Sequence, residues 1–208
     1  MSQITDNIIL YEPRPLFRCV AKSCIHSCNG VMAVIEPGAL TEEAYTFNNK
    51  NAVLAAGLSG ASEELYTLLR LIHHLSMLGR EIIVWIAERD LSLAGLMYGL
   101  GVHTLLCEHY LEEELVQRIR SPCFRSAYLP SRPEERGRGV KNIRLSDTEL
   151  NMLIDCARGL NAYEIASLRH VGYKTVFTHK RNIQLRLGLE KPARWLDLLN
   201  RLEQIRSV

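Results

Sequence analysis

Between Tyr173 and Asn182 the chain places Lys174, Thr175, Phe177, Thr178, His179, Lys180 and Arg181 within eight positions. Three chemistries suit such a run. A histidine among cations could act as a general base, the lysines could neutralise phosphates, and the guanidinium could pair bidentately with a guanine edge. The same Tyr, Thr, Val and Phe residues are also good strand formers, so a solvated strand competes with a helix. The surrounding sequence decides between them.

A second group, Cys24-x-His26-x-Cys28, has the residue types of a metal site. It lacks a second ligand pair at zinc spacing, so packed thiols beside a helix end are the expectation, with no metal and no cofactor. Six scattered cysteines in 208 residues fit reduced thiols in a cytosolic core better than a disulfide framework. No nucleophile stands with a base in a recognisable pattern, so no enzyme is expected.

The net charge of +2 conceals an asymmetry. Residues 1–136 hold 12 Lys and Arg against 16 Asp and Glu, whereas residues 137–208 hold 13 against 7. A basic end of this kind suits a polyanionic partner. No apolar run approaches the roughly 20 residues of a membrane span, and MSQITDNIIL lacks a basic n-region and a cleavage site. A cytoplasmic protein with no membrane partner is expected.

Prolines, glycines and basic residues crowd residues 121–142, where no periodicity survives. This stretch reads as a linker, ordered near Tyr128 and loose from Glu134 to Gly139. It divides a domain over 1–120 from one over 143–208. In the first, strands are expected at Ile8–Tyr11, Val31–Ile35, Ala52–Ala55, Ile82–Ile86 and Thr104–Cys107. Helices are expected at Leu16–Ile25, Ser62–Met77, Leu91–Leu100 and Leu111–Ile119. Continuous apolar strands alternating with helices predict an α/β domain, a parallel sheet covered on both faces in flavodoxin-like order.

The second domain reads as all-α. Ser146-x-x-Glu149 and Asn161-x-x-Glu164 are capping boxes opening two short helices, the first stopped by Gly159. His170-Val171-Gly172 makes a tight turn, and Gly172 can cap a third helix. On it Val176, Ile183 and Leu187 form an inward stripe, while Lys174, Phe177, Thr178 and Arg181 share the opposite face. A last helix runs from about Pro192 to Ile205, with Trp195, Leu198, Leu199, Leu202 and Ile205 divided between core and a dimer seam. Capped short helices with a tight turn before a basic one predict a helix-turn-helix whose third helix suits the major groove.

Leu145-Ser146-x-x-Glu149, Ala157-x-Gly159-Leu160-Asn161, Glu164-Ile165-Ala166, Lys174-Thr175-Val176, His179 and Leu187-Gly188 resemble the LuxR-type (GerE-type) DNA-binding domain over about residues 143–206. The resemblance implies a four-helix domain, a dimer and two half-sites on double-stranded DNA. It implies base-facing roles for Phe177, Thr178 and Arg181. Lys174, Thr175, Lys180 and His179 fall where phosphate contacts or helix packing are expected. Phe177 departs from a commonly polar or basic position, and either a thymine methyl or a partner surface would suit it. Arg169 and His170 replace the usual apolar residue and glycine of the turn.

Ile8-Ile9-Leu10-Tyr11-Glu12-Pro13-Arg14-Pro15-Leu16-Phe17-Arg18 resembles the start of the receiver domain of two-component response regulators. The resemblance implies phosphoryl transfer to an aspartate, which needs a nucleophile, acidic magnesium ligands, a hydroxyl and a lysine. Here those places fall on Ala56, on Glu12 alone, on Ile86 or Ala87, and near Cys107. Residues 50–61 contain no aspartate. The resemblance therefore implies a NarL-like regulator whose degenerate pocket (Glu12, Ala56, Ala87, Cys107) is not phosphorylated.

The fold would then serve pairing, ligand sensing, or only as a dimerising spacer. The Trp-x-[Ser/Thr]-Arg type motif by which some relatives bind a cyclic dinucleotide is not found, Trp85 being followed by Ile86-Ala87-Glu88. Residues about 90–119 would be the pairing surface, with Leu96, Met97, Tyr98, His109 and Tyr110 as candidates. The expected function is a bacterial transcription regulator acting as a dimer. The alternative is an interaction protein that heterodimerises with, or titrates, a related response regulator.

Overall fold

The computed structural model describes residues 7–40, 52–59, 62–87, 90–121, 123–129 and 144–206. Five parallel strands form one sheet: β1 (Ile8–Tyr11), β2 (Met32–Ile35), β3 (Val53–Gly57), β4 (Ile82–Ile86) and β5 (Thr104–Cys107). Their order is β2-β1-β3-β4-β5, the flavodoxin-like order expected from the sequence. The helices of this part are α1 (Pro15–Ser27), α2 (Ser62–Met77), α3 (Leu91–Gly99) and α4 (Leu111–Arg120). The other four are α5 (Asp147–Ala157), α6 (Ala162–Arg169), α7 (Tyr173–Leu187) and α8 (Pro192–Arg206). The fold is thus an α/β unit followed by an all-α one.

Four of the five strands are built mainly of Val, Ile, Leu and Ala, with one other residue each in β1, β3 and β4 and two (Thr104 and Cys107) in β5, and all their residues are buried. Alternation then divides the side chains between two layers. Ile8, Leu10, Val53, Ala55, Ile83, Trp85 and Leu106 share a core with Cys24 and Ile25 of α1 and Leu111 and Leu115 of α4. Ile9, Leu54, Val84 and Leu105 face α2 and α3. Strand β2 is the exception, half-buried along most of its length at the sheet edge.

The expected strand Ala52–Ala55 runs instead from Val53 to Gly57. Its small residues carry pairing further, with Ala56 beside Tyr11 and Gly57 beside Trp85. Helix α1 extends at both ends beyond Leu16–Ile25. Pro15 occupies the first turn, where its missing N–H costs nothing.

The α2–α3 layer does not end at the sheet. Its apolar cluster continues through Leu145, Leu150 and Leu153 to Ile183, Leu187, Trp195, Leu198 and Leu202. Polar contacts follow the same seam. Leu145 N–H donates to the Gly99 carbonyl at 2.8 Å, and Ser92 Oγ donates to Asp197 Oδ2 at 2.5 Å. Arg158 pairs with Glu63 at 2.5 Å and lies over the Tyr66 ring. His73 of α2 is buried, with Nε2 2.9 Å from the Leu145 carbonyl and Nδ1 3.1 Å from Asp147 Oδ1.

This seam corrects one expectation. Leu96, Met97 and Tyr98 are not an open pairing surface, because α3 packs against α7 and α8 and buries all three. His109 remains exposed, and Tyr110 stacks on Tyr128 with ring centroids 3.9 Å apart. On α8, Trp195, Leu198 and Leu202 are buried and Leu199 and Ile205 partly so. In the stretch expected to be a linker, Leu129 belongs to one apolar cluster and Phe124 packs against the other. The expected loose part, Glu134 to Gly139, lies outside the described residues. Among the described residues, no helix is long and apolar enough to cross a membrane.

Candidate nucleic-acid interface and the pocket at the strand ends

Helix α7 begins at Gly172, whose extended backbone (φ −68°, ψ 143°) forms the N-cap, and ends at Gly188 in a left-handed conformation. Val176, Ile183 and Leu187 are its buried residues. That apolar back fixes the helix against its neighbours, with α5 and α6 the main supports. Both capping boxes are present. Glu149 N–H donates to Ser146 Oγ and Ser146 N–H to Glu149 Oε2, and Asn161 with Glu164 repeats the exchange. The Glu149 carboxylate is also an anchor, accepting from Arg186 Nε at 3.1 Å. Arg186 Nη1 donates to the Arg144 carbonyl, so the C-terminal half of α7 is tied to the start of α5.

The two departures in the turn have a joint explanation. His170 sits at φ 53°, ψ 43°, the left-handed region that glycine enters without strain. Arg169, just before it, makes a bidentate pair with Asp155 of α5, Nε to Oδ2 at 2.7 Å and Nη2 to Oδ1 at 3.0 Å. Asp155 is fully buried. Its hydrogen bonds hold the Arg169 guanidinium charged, raising its pKa against a smaller opposing effect of burial. This ion pair clamps the end of α6 while the next residue turns.

On the open side of α7, Lys174, Thr175, Phe177, Thr178 and Arg181 are all exposed. Phe177 is 54% exposed. Lys180 is half-buried, with Nζ 5.4 Å from the Trp195 ring centroid, so this lysine leans towards α8. The sequence reading missed two aromatic neighbours of this face. Tyr173 is 44% exposed and Tyr163 of α6 70% exposed, with ring centroids 5.7 Å apart. Tyr173 stands four residues before Phe177 on the same face, a spacing the sequence does contain.

A second polar site lies at the carboxyl ends of the strands. Glu12 is fully buried there, and its carboxylate accepts four hydrogen bonds. Arg14 supplies three, from its backbone N–H (3.0 Å), Nε (2.9 Å) and Nη2 (2.9 Å). Trp85 Nε1 supplies the fourth at 2.7 Å. Arg14 Nη1 reaches Glu108 Oε2 at 2.8 Å, and the guanidinium lies 4.1 Å from the Phe17 ring centroid. Burial disfavours the Arg14 charge, but hydrogen bonds to Glu12 and Glu108 outweigh it and raise its pKa.

Gly57 makes this packing possible. A Cβ there would collide with Glu12 Oε2 and lie 2.7 Å from Trp85 Nε1. Ala56 is buried beside Tyr11, and Cys107 is buried with its N–H donating to Glu114 Oε2 at 2.7 Å. Ala87 is exposed and lines a cavity of about 200 Å³ that Arg14, Asp90, Glu108 and Arg201 of α8 also face. The four residues expected in the pocket therefore divide. Ala56 and Cys107 lie within β3 and β5, whereas Glu12 and Ala87 lie one residue beyond the ends of β1 and β4. Among the described residues, no cluster of His, Cys, Asp and Glu is arranged to hold a metal.

No protein-family model and no curated protein matches the chain. Solved structures of similar shape exist. One is the RcsB response regulator of Salmonella typhimurium, from work on its conformational dynamism for DNA interaction. It has a TM-score of 0.46 and 18% identity over 95% of this chain and 98% of that one. RcsB of Salmonella enterica serovar Typhimurium bound to a promoter in the presence of phosphomimetic BeF3- has a TM-score of 0.49 and 18% identity, covering 94% and 98%. The response regulator ChrA of a heme-sensing two-component system has a TM-score of 0.42 and 17% identity, covering 96% and 98%.

Proposed function

We propose that the chain is a DNA-binding transcription regulator of the LuxR type that acts as a dimer and is not switched by aspartyl phosphorylation. It comprises a degenerate receiver-like domain over 1–120, a linker over 121–142 and a helix-turn-helix domain over 143–208. The carrying observation is α7, whose exposed cationic face rests on a fully buried apolar back. In this reading Lys174 and Thr175 contact phosphates, Lys180 reaches them from the flank, and Phe177, Thr178 and Arg181 face the bases.

Independence from phosphorylation is supported by the strand ends. Arg14 and Trp85 saturate the Glu12 carboxylate, and Ala56 stands where the receiver resemblance expects a nucleophile. A receiver-type magnesium site needs free carboxylate oxygens.

The test is binding to promoter duplexes at several salt concentrations. Arg181→Ala is expected to lose discrimination at one base position, worth about 1–3 kcal/mol. Lys174→Ala is expected to weaken all duplexes alike and to reduce the salt slope by about one. Affinity untouched by either change would refute the assigned face.

A second reading, an interaction protein that titrates a related regulator, is favoured by the exposed Tyr163, Leu168, Tyr173 and Phe177. Co-purification with such a regulator, together with no duplex binding alone, would select it.

A further inference from the structure

The open face of α7 has an uneven chemistry. Lys174 stands in the first turn and Arg181 near the middle of the helix, and between them Thr175, Phe177 and Thr178 face solvent. The Thr178 hydroxyl donates back to the Lys174 carbonyl at 3.0 Å. Its proton is therefore engaged within the helix, and what Thr178 presents outward is a methyl and an acceptor oxygen. Phe177 and Thr178 thus offer no hydrogen-bond donor to a base edge. An aromatic ring held in water on a rigid helix, flanked by cations, calls for an apolar target within an anionic partner. In a duplex, the apolar group on a major-groove edge is the 5-methyl of thymine.

We infer that Phe177 is a specificity-determining residue that packs on a thymine methyl. Arg181 then reads a guanine in the same half-site. Four residues of helix advance about 6 Å, and base steps are about 3.4 Å apart, so thymine and guanine fall roughly two steps apart. This inference rests on the duplex-binding reading of α7 and adds which base the apolar position selects. Tyr173 and Tyr163 extend the aromatic surface towards the edge of the groove, where their hydroxyls suit phosphate oxygens.

The experiment uses the full chain. A duplex preferred from a random pool is resynthesised with deoxyuridine replacing thymine at one position at a time, which removes only the methyl. One thymine per half-site is expected to respond, with affinity falling about fourfold, the worth of one buried methyl group. Phe177→Ala should bind the thymine and deoxyuridine duplexes equally. Phe177 is exposed, so the variant is expected to keep its fold, checked by circular dichroism. Full affinity for every deoxyuridine duplex overturns the inference, as does discrimination that persists in Phe177→Ala. Either result leaves duplex reading by α7 intact if binding still falls with salt and with Arg181→Ala. Absence of salt-dependent binding to any duplex sinks both.

Discussion

Trp85 Nε1 donates to Glu12 Oε2 at 2.7 Å across two intervening strand pairings, inside a site closed to solvent. The indole fills space at the end of β4, and its N–H completes the shell around a carboxylate that Arg14 already neutralises. Trp85→Phe keeps most of the apolar volume and removes this one donor. A hydrogen bond to a charged group contributes about 1.5–3 kcal/mol, so the variant is expected to lose about that much stability in urea denaturation. An unchanged midpoint would mean that the bond contributes nothing net.

Gly57→Ala tests the same site from the other side. The added methyl meets the Glu12 carboxylate and the Trp85 indole, and both are fixed by partners that cannot yield without breaking hydrogen bonds. Overpacking of this kind costs about 1–3 kcal/mol, read as a lower urea midpoint with an unchanged slope.

Much of this architecture is legible in local sequence. The buried strands announce themselves as apolar runs, and both capping boxes are spelled out at spacing three, because those features depend on neighbours a few residues away. The Glu12–Trp85 contact joins residues 73 apart and the Asp155–Arg169 pair residues 14 apart, so periodicity carries neither. The sequence flags Arg169 and His170 as unusual without indicating the buried carboxylate that answers them. Helix α3 is legible in its position, and only the pairing surface expected on it differs. Leu91-Ser-Leu-Ala-Gly-Leu-Met-Tyr-Gly is apolar on nearly every side, the pattern of a helix covered all round. That pattern argues for burial of Leu96, Met97 and Tyr98 rather than for an open pairing surface.

His170 offers a stabilising substitution. Its left-handed backbone is strained for a side chain bearing Cβ, and the side chain is exposed. His170→Gly is expected to stabilise by about 1 kcal/mol, a rise in Tm of roughly 2–4 °C. Arg169→Ala is expected to act in the opposite direction. Among the described residues it leaves the buried Asp155 with Arg158, 3.8 Å away, as its ion-pair partner, and should cost about 2 kcal/mol after allowance for the partial exposure of Arg169. Equal stability of His170→Gly and the parent would remove the strain assignment.

Cys24 supplies a dependence on pH. Burial, reinforced by the Glu112 charge, pushes its thiol up to about 11, and the thiol donates to the Glu112 carbonyl at 3.7 Å. The folded chain therefore holds a proton that the unfolded chain releases near pH 9. Stability from this group is fully present below that value and is lost as pH rises towards 11. At pH 8, iodoacetamide should modify the exposed Cys19 and Cys123 well before Cys24, followed by peptide mass mapping. Early modification of Cys24 would contradict its burial.

The continuous apolar seam makes a prediction about cooperativity. Trp85 lies in the sheet and Trp195 in α8, so each half of the molecule carries its own fluorophore. Helices α2 and α3 contribute Leu65, Leu69, Leu96 and Met97 to the same cluster as Leu153, Leu198 and Leu202 from the C-terminal helices. Two independently stable units would unfold at separate denaturant concentrations, and each tryptophan would report its own. A shared core instead couples them, because removing α8 exposes α3. In Trp85→Phe and Trp195→Phe, the remaining tryptophan is expected to change together with far-ultraviolet circular dichroism in one urea transition. Leu198→Ala, which empties a fully buried position on α8, should lower the Trp85 midpoint as well, at a cost of about 2–5 kcal/mol. A Trp85 transition that ignores Leu198→Ala would show that the seam does not couple the sheet to the helical unit.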